Sequence, residues 1–334
     1  VVDLVLQAAA EQPVALDLPE LAVQVVVAHA GPGLARDGHG DAGARQAALA
    51  AQLRLAAQLD DDAVIVDLGA DHRLEQQQAW DDYYGGAFYE HWVYGMPELI
   101  LGKDANGAYR RQRERLLGAK RIAGPGCNVT AVTLAMQPGI ANNLVVPHTI
   151  VADLAVGYSG AGKNLKRTNL LASEALNSAV PYAVGGTHRH IPEILQNFAH
   201  AAGLDAAAAG EFTLAFTPML VPMSRGILAS VSAKLTDAAM DLTDEQIHAI
   251  WTGAYEGQGF ISVLAPGAMP ATQNVLGSNA AHVQVAVDRR SRTLHAFAAI
   301  DNLNRGTAGQ AVESLNLAFG LNEENGLTKI GVAP

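Results

Sequence analysis

RIAGPGCNVTAVTLAMQPGI, residues 121–140, sets a short β-prone run against a helix-prone one across the turn made by Pro125 and Gly126. A strand followed by a tight turn and a helix is the unit from which α/β domains are built. The helical part carries apolar residues through several turns, and Pro138 with Gly139 is expected to stop it. Upstream, AVIVDLG at 63–69 is short, β-branched and closed by glycine, which suits a strand buried on both faces of a parallel sheet. VQVVVA at 23–28 is a further β-prone run. It is followed by a glycine-studded stretch at 29–43 and by ARQAALAAQLRLAAQL at 44–59, rich in good helix formers. The first third therefore predicts strand, loop, helix, strand.

The pattern changes beyond residue 145. Segments 149–157, 211–217, 226–235, 282–288 and 293–300 have strand length and often alternate, several close enough in sequence to pair antiparallel. Helical patterns are interleaved near 163–179, 193–203, 243–256 and 306–319, the third opening with Thr243 and Glu245 as capping chemistry. An α+β second domain is the expectation, with the change of pattern near 127–150 as its boundary.

Bulk composition narrows the classes of function. The 334 residues are about two domains by the soft prior of roughly 150 residues each. At 49% hydrophobic and 16% charged, with glycine and proline scattered, the chain fits neither disorder nor a fibrous repeat. A net charge of −11 repels polyanions and anionic lipid, so nucleic acid is excluded as an expected partner. No apolar run reaches the ~18 residues a membrane span needs, and the first residues lack a basic leader, so a cytoplasmic protein is expected.

The single cysteine, Cys127, falls where the strand-like RIAG gives way to the helix. Unpaired backbone N–H groups and the positive end of a helix dipole favour a thiolate there, as a nucleophile requires. The competing reading is a buried structural cysteine. In GGTHRHIPEI, His188 and His190 lie two apart, so on an extended segment both imidazoles point to one side, with Pro192 and Glu193 starting a helix behind them. A thiol and an imidazole suggest covalent catalysis with proton transfer. Surface histidines or a metal-binding pair are the alternatives, and no carboxylate or cysteine stands at ligand spacing, so no metal is expected. GYSGAGKN at 157–164 offers backbone N–H groups, Ser159 and Lys163 to a phosphate or carboxylate, unless it is a plain turn. Arg225, in PMSRGIL at 222–228, has the chemistry to grip a substrate anion or to form an ordinary ion pair.

Taken in order, PGCNVTA (125–131), YSGAGK (158–163), GGTHRHIPEI (185–194), FTPMLVPMSRGIL (216–228), GSNAAHVQVAVD (277–288), DNLNRGTAGQAVESLN (301–316) and GVAP (331–334) resemble the N-acetyl-gamma-glutamyl-phosphate reductase family. The resemblance begins near residue 60, with DDAVIVDLGADHRL, and runs to the C-terminus. It implies the aspartate-semialdehyde and glyceraldehyde-phosphate dehydrogenase type of architecture. A dinucleotide-binding Rossmann-like domain, residues 1–127 plus 306–334, is then joined to a mixed α+β substrate-binding and dimerisation domain, 128–305.

The resemblance also implies NADPH-dependent reduction of an acyl phosphate through a thioester on Cys127. His190 is then the favoured acid–base group and His188 its partner. Arg225, Ser224, Lys163 and Asn128 are expected around the substrate, and Ser159, Gly160, Gly162, Asn302, Gly306 and Ala308 around the cofactor. A homo-oligomer, dimer or tetramer, is expected. The alternatives are a reductase for a longer, aminoadipyl acyl phosphate and a cofactor-free relative. That last alternative arises at the N-terminus, where the family's GxSGYxG loop has no counterpart in residues 1–59. AHAGPGLARDG at 28–38 has glycines at the wrong spacing, and Pro32 removes an N–H, so it reads as a loop and not as a pyrophosphate site.

Overall fold

The computed structural model describes residues 63–161 and 177–332 and the backbone of 26–28. Among them, β1 (Val26–Ala28), β2 (Ile65–Asp67), β3 (Val93–Tyr94) and β6 (Arg121–Ala123) form an all-parallel sheet in the order β1-β2-β6-β3. Between β3 and β6 the chain makes a small antiparallel ribbon of β4 (Ile100–Lys103) and β5 (Tyr109–Arg111). The β-branched run at 63–66 is buried throughout, as a strand covered on both faces must be. The α-helix α1 (Gln77–Tyr83) follows β2 and buries Trp80.

The second sheet is mixed. Its order is β11-β12-β13-β10-β7-β9-β8, from β7 (Ile150–Val156), β8 (Val180–Pro181), β9 (Leu214–Leu220), β10 (Ile227–Lys234), β11 (Ile261–Val263), β12 (Ala281–Asp288) and β13 (Thr293–Ile300). Along β7 and β10 buried residues alternate with more open ones, so one face carries the core. That face packs on α2 (Cys127–Ala141), α3 (Ile191–Ala201) and α4 (Asp244–Tyr255). The last helix, α5 (Gly309–Ala318), instead returns to the parallel sheet, where Leu317 and Ala318 join Val64, Val66 and Ile122.

Three local expectations are corrected. Pro138 and Gly139 do not end α2, which runs on to Ala141. Proline deprives the Leu134 carbonyl of its i+4 donor, and the Tyr255 hydroxyl from α4 donates to that carbonyl instead, while Trp251 Nε1 donates to Ala135 O at 2.9 Å. Capping at α4 is completed by Gln246 and not by Glu245: Gln246 N–H donates to Thr243 Oγ1 and Thr243 N–H to Gln246 Oε1, at 3.2 and 2.8 Å. Spacing explains the change, because a capping box closes three residues after the cap. Finally, α5 is preceded by a π-helical turn, Asn304–Ala308, in which Gly306 N–H reaches Asp301 O and Ala308 N–H reaches Leu303 O, both across five residues. The helix expected at 44–59 and most of that at 163–179 lie outside the described residues.

Candidate active site

Cys127 is the first residue of α2, half-buried, after an extended Gly126 cap at φ −71° and ψ 142°. His190 caps α3, and its imidazole lies on Gly126: a Cβ there would sit 2.5 Å from His190 Nε2. Only glycine permits that approach. His188 and His190 occupy a turn and not the extended segment expected, with His190 in the α region (φ −80°, ψ −12°) and the two rings 4.7 Å apart, edge to face. His188 Nδ1 accepts the His190 backbone N–H at 3.1 Å, and its ring packs on Phe216. The pair is joined through backbone as well as through rings.

Electrostatics differ from the simple helix-end picture. Burial pushes the Cys127 thiol up to about 11, against the lowering by the Asn128 backbone N–H and Arg73. Burial, with His188, Arg73 and Arg189 nearby, holds His190 well below the ordinary imidazole range, so it is neutral at pH 7. The resting groups are therefore a thiol and, seated on the residue before it, a neutral base. His190 Nδ1 and the buried Asn128 Oδ1 have no hydrogen-bond partner among the described residues. Orphaned buried atoms of this kind are what a substrate's polar groups would satisfy.

Two contributors were not singled out from sequence. Glu193, wholly buried in the first turn of α3, accepts from the Gly126 N–H at 3.0 Å and from the Tyr94 hydroxyl at 2.6 Å, and faces Arg73 Nη1 at 3.4 Å. One carboxylate thus ties together β3, the loop after β2, the residue before the cysteine and the helix behind His190. Arg73 Nη2 donates to Leu68 O at 2.9 Å, and its Nε has no partner among the described residues. The signal was present in DLGADHRL and in a glutamate three residues after His190, but a glutamate at a helix start reads first as capping chemistry.

The other predicted residues gather nearby at the ends of β7, β10 and β13. Ser159 N–H donates to Ser224 O at 3.1 Å, and Asn302 Nδ2 donates to Ser159 Oγ at 3.0 Å while its Oδ1 accepts from Gly226 N–H at 2.7 Å. Arg225 places Nε and Nη2 on Asp301 Oδ1 at 2.9 and 2.7 Å and remains one-third exposed. Gly160 N–H is used within its turn, on Gly157 O. Ala308 lies in the π turn, and Gly306 backs directly onto Cys127. Gly162 and Lys163 lie outside the described residues.

The carboxyl ends of β2 and β6 are where parallel α/β sheets bind dinucleotides. There Asp67 is buried with Oδ1 on Gly69 N–H and Oδ2 without a partner among the described residues, an acceptor free for a ligand donor. The AHAGPGLARDG segment lies outside the described residues save its first alanine. Among the described residues no group of histidine, cysteine and carboxylate side chains is set to hold a metal, and no helix is long and apolar enough to cross a membrane.

Residues 127–302 match the semialdehyde dehydrogenase dimerisation domain. The chain is 81% identical over 280 residues, 84% of its length and 77% of the relative's, to an N-acetyl-gamma-glutamyl-phosphate reductase of Bifidobacterium animalis subsp. lactis. It is 51% identical over 280 residues, 84% of this chain and 76% of the relative, to the enzyme of that name from Leifsonia xyli subsp. xyli. Its fold is similar to aspartate semialdehyde dehydrogenase II of Vibrio cholerae, with a TM-score of 0.54 at 16% identity over 77% of this chain and 73% of that one. A similar likeness holds to the aspartate semialdehyde dehydrogenase of Francisella tularensis, TM-score 0.53 at 15% identity, covering 82% and 79%.

Proposed function

The chain belongs to the N-acetyl-gamma-glutamyl-phosphate reductase family, and from that premise we propose that it reduces N-acetyl-L-glutamyl 5-phosphate to the 5-semialdehyde, with release of phosphate, through a thioester on Cys127. The observation that supports this most directly is the seating of His190 Nε2 against Gly126, one residue before a cysteine that opens a helix. Sulfur attacks the acyl carbon, the C–O bond to phosphate breaks, and the thiol proton moves to His190 Nε2. A thiol held near 11 beside a neutral imidazole ionises only as attack proceeds, so the proton is transferred and not simply shed to water. A nicotinamide dinucleotide, when bound, supplies hydride to the thioester carbon. His190 returns the proton as the C–S bond breaks and the aldehyde leaves.

Around this core, Asn128 and Arg225 line the substrate side, the latter through Nη1, which has no hydrogen bond among the described residues. Ser159, Asn302, Gly306 and Ala308 border the cofactor, with Asp67 on the sheet side. Residues 1–127 with 306–334 act as the dinucleotide domain and 128–305 as the substrate-binding and dimerisation domain of a homo-oligomer. NADPH in preference to NADH, and action in the cytoplasm, complete the reading.

The test is the reverse reaction. N-acetyl-glutamate 5-semialdehyde should reduce NADP only when inorganic phosphate is present. Reduction without phosphate, or turnover only with the aminoadipyl analogue, would displace the proposed substrate. Absence of NADPH binding at millimolar cofactor would make the chain a non-reductase.

A further inference from the structure

A second buried charge cluster lies one residue from the glycine that backs onto Cys127, and the chemistry above leaves it unused. Arg305, in the π turn, is wholly buried, and so are the two carboxyl groups it meets. Its Nη2 donates to Glu98 Oε2, and its Nη1 to Glu313 Oε2 at 2.5 Å, where Asn279 Nδ2 also donates at 2.9 Å. The next residue, Gly306, has no room for a side chain: a Cβ there would lie 2.6 Å from Cys127 Cβ and 3.2 Å from its Cα. We propose that Arg305, clamped between Glu98 and Glu313, is a positioning residue that holds the Gly306 backbone against Cys127 and thereby fixes where the sulfur points.

Stability alone is a poor reason for such a cluster, because apolar residues of similar volume commonly stabilise as well or better than buried ion pairs. Its location is more telling. A π turn leaves its backbone less well bonded than an α-helix and recurs at functional sites, so an external clamp is what would hold it to one geometry. Glu98 arrives from the loop after β3, Glu313 from α5 and Asn279 from the segment before β12, so the clamp joins the two sheets at the nucleophile.

Charge balance adds a distinction between the acids. Arg305 is shared by two acids that differ in what else faces them. Burial raises Glu98, but Arg305, a hydrogen bond with Glu313, its own backbone N–H and, last, Arg113 more than offset it, and Arg111 also faces it. Burial and the Glu98 charge raise Glu313, which has Arg305 and Asn279 as its lowering partners. The Tyr255 hydroxyl, also near Glu98, stays protonated. Glu98 is therefore the ionised member and Glu313 the acid.

The proposal rests on Cys127 being the nucleophile, and the experiment separates the two. Turnover, KM and the pH profile of Cys127 alkylation by iodoacetamide would be measured for Arg305→Met, Arg305→Lys, Glu98→Gln and Glu313→Gln. Arg305→Met should lower kcat about 100-fold, the scale of a misplaced reacting group, with KM for the acyl phosphate little changed and the alkylation profile shifted. Arg305→Lys should recover part of the loss, and Glu98→Gln should cost about tenfold more than Glu313→Gln, since only the former removes a charge. Folded Arg305 variants with kcat within about threefold of the parent and an unmoved alkylation profile would overturn it, being far below the misplacement scale. Should Arg305→Met not fold, the isosteric Glu98→Gln decides on the same two readouts. Turnover surviving in Cys127→Ser would instead remove the thioester reading and leave the alkylation result standing.

Discussion

The two halves of α2 are both held by side chains from far along the sequence, and they are held differently. In the second half, Pro138 frees the Leu134 carbonyl and Tyr255 takes it up. Gln137 accepts from Ile100 N–H at 2.9 Å and donates to Glu98 O at 3.1 Å, so no buried side-chain atom of this half is left unmet. At the first turn, the Gly126 N–H is tied to Glu193, yet Asn128 Oδ1, His190 Nδ1 and Arg73 Nε remain without partners among the described residues. An unsatisfied buried polar atom costs free energy comparable to a lost hydrogen bond. Unmet atoms also occur elsewhere among the described residues, as at Glu98 Oε1 and Arg111 Nη1, but within α2 itself the one at Asn128 stands next to the thiol.

Substitutions at the first turn should therefore change rates, and substitutions in the second half should change stability. The largest effect is expected for Cys127→Ser, a loss of kcat of about 10³-fold or more, since a hydroxyl is a far weaker nucleophile. Its melting temperature should stay close to the parent's, and near-normal activity would break the contrast. His190→Asn should lower kcat about 10²-fold, the usual scale of general acid–base catalysis. If His188→Asn proves more damaging, the two imidazoles exchange roles.

Glu193→Gln tests the tie between the halves. It leaves the buried Arg73 charge uncompensated, so chemical denaturation should show a loss of about 3 kcal/mol, together with reduced turnover. Tyr255→Phe should cost about 1–3 kcal/mol by leaving the Leu134 carbonyl unmet, with kcat nearly unchanged. A large catalytic loss there would merge the two regions into one.

The smallest effect concerns pH. His190 is held below its ordinary value of about 6.5, so the unfolded chain binds the extra proton first as pH falls. Stability is then full above about 6.5 and declines as pH drops from there toward the depressed folded value, by an amount that His190→Asn should abolish. A melting temperature equally pH-dependent in the variant would show that other groups are responsible.

Much of this was legible in the amino acids. Cys127 after Pro125-Gly126 at the start of a helix, and strands expected at 63–69, 149–157, 226–235, 282–288 and 293–300, follow from local patterns. What escaped had remote causes. Pro138 reads as a helix stop because the hydroxyl that rescues it comes from Tyr255, more than a hundred residues on. Arg73 and Glu193 read as ordinary charged residues because only the fold places Glu193 on Gly126 and Arg73 on Glu193. The Asp301 carboxylate that takes two donors of Arg225 likewise comes from 76 residues along the chain.

The sequence by itself determined where the longer strands and helices fall and which residue types offer chemistry, because turn, cap and periodicity preferences act over a few residues. Tertiary structure decided the protonation states. A thiol that the helix end favours as an anion is pushed up to about 11, because desolvation sums over everything that packs around it and no local pattern reports that sum.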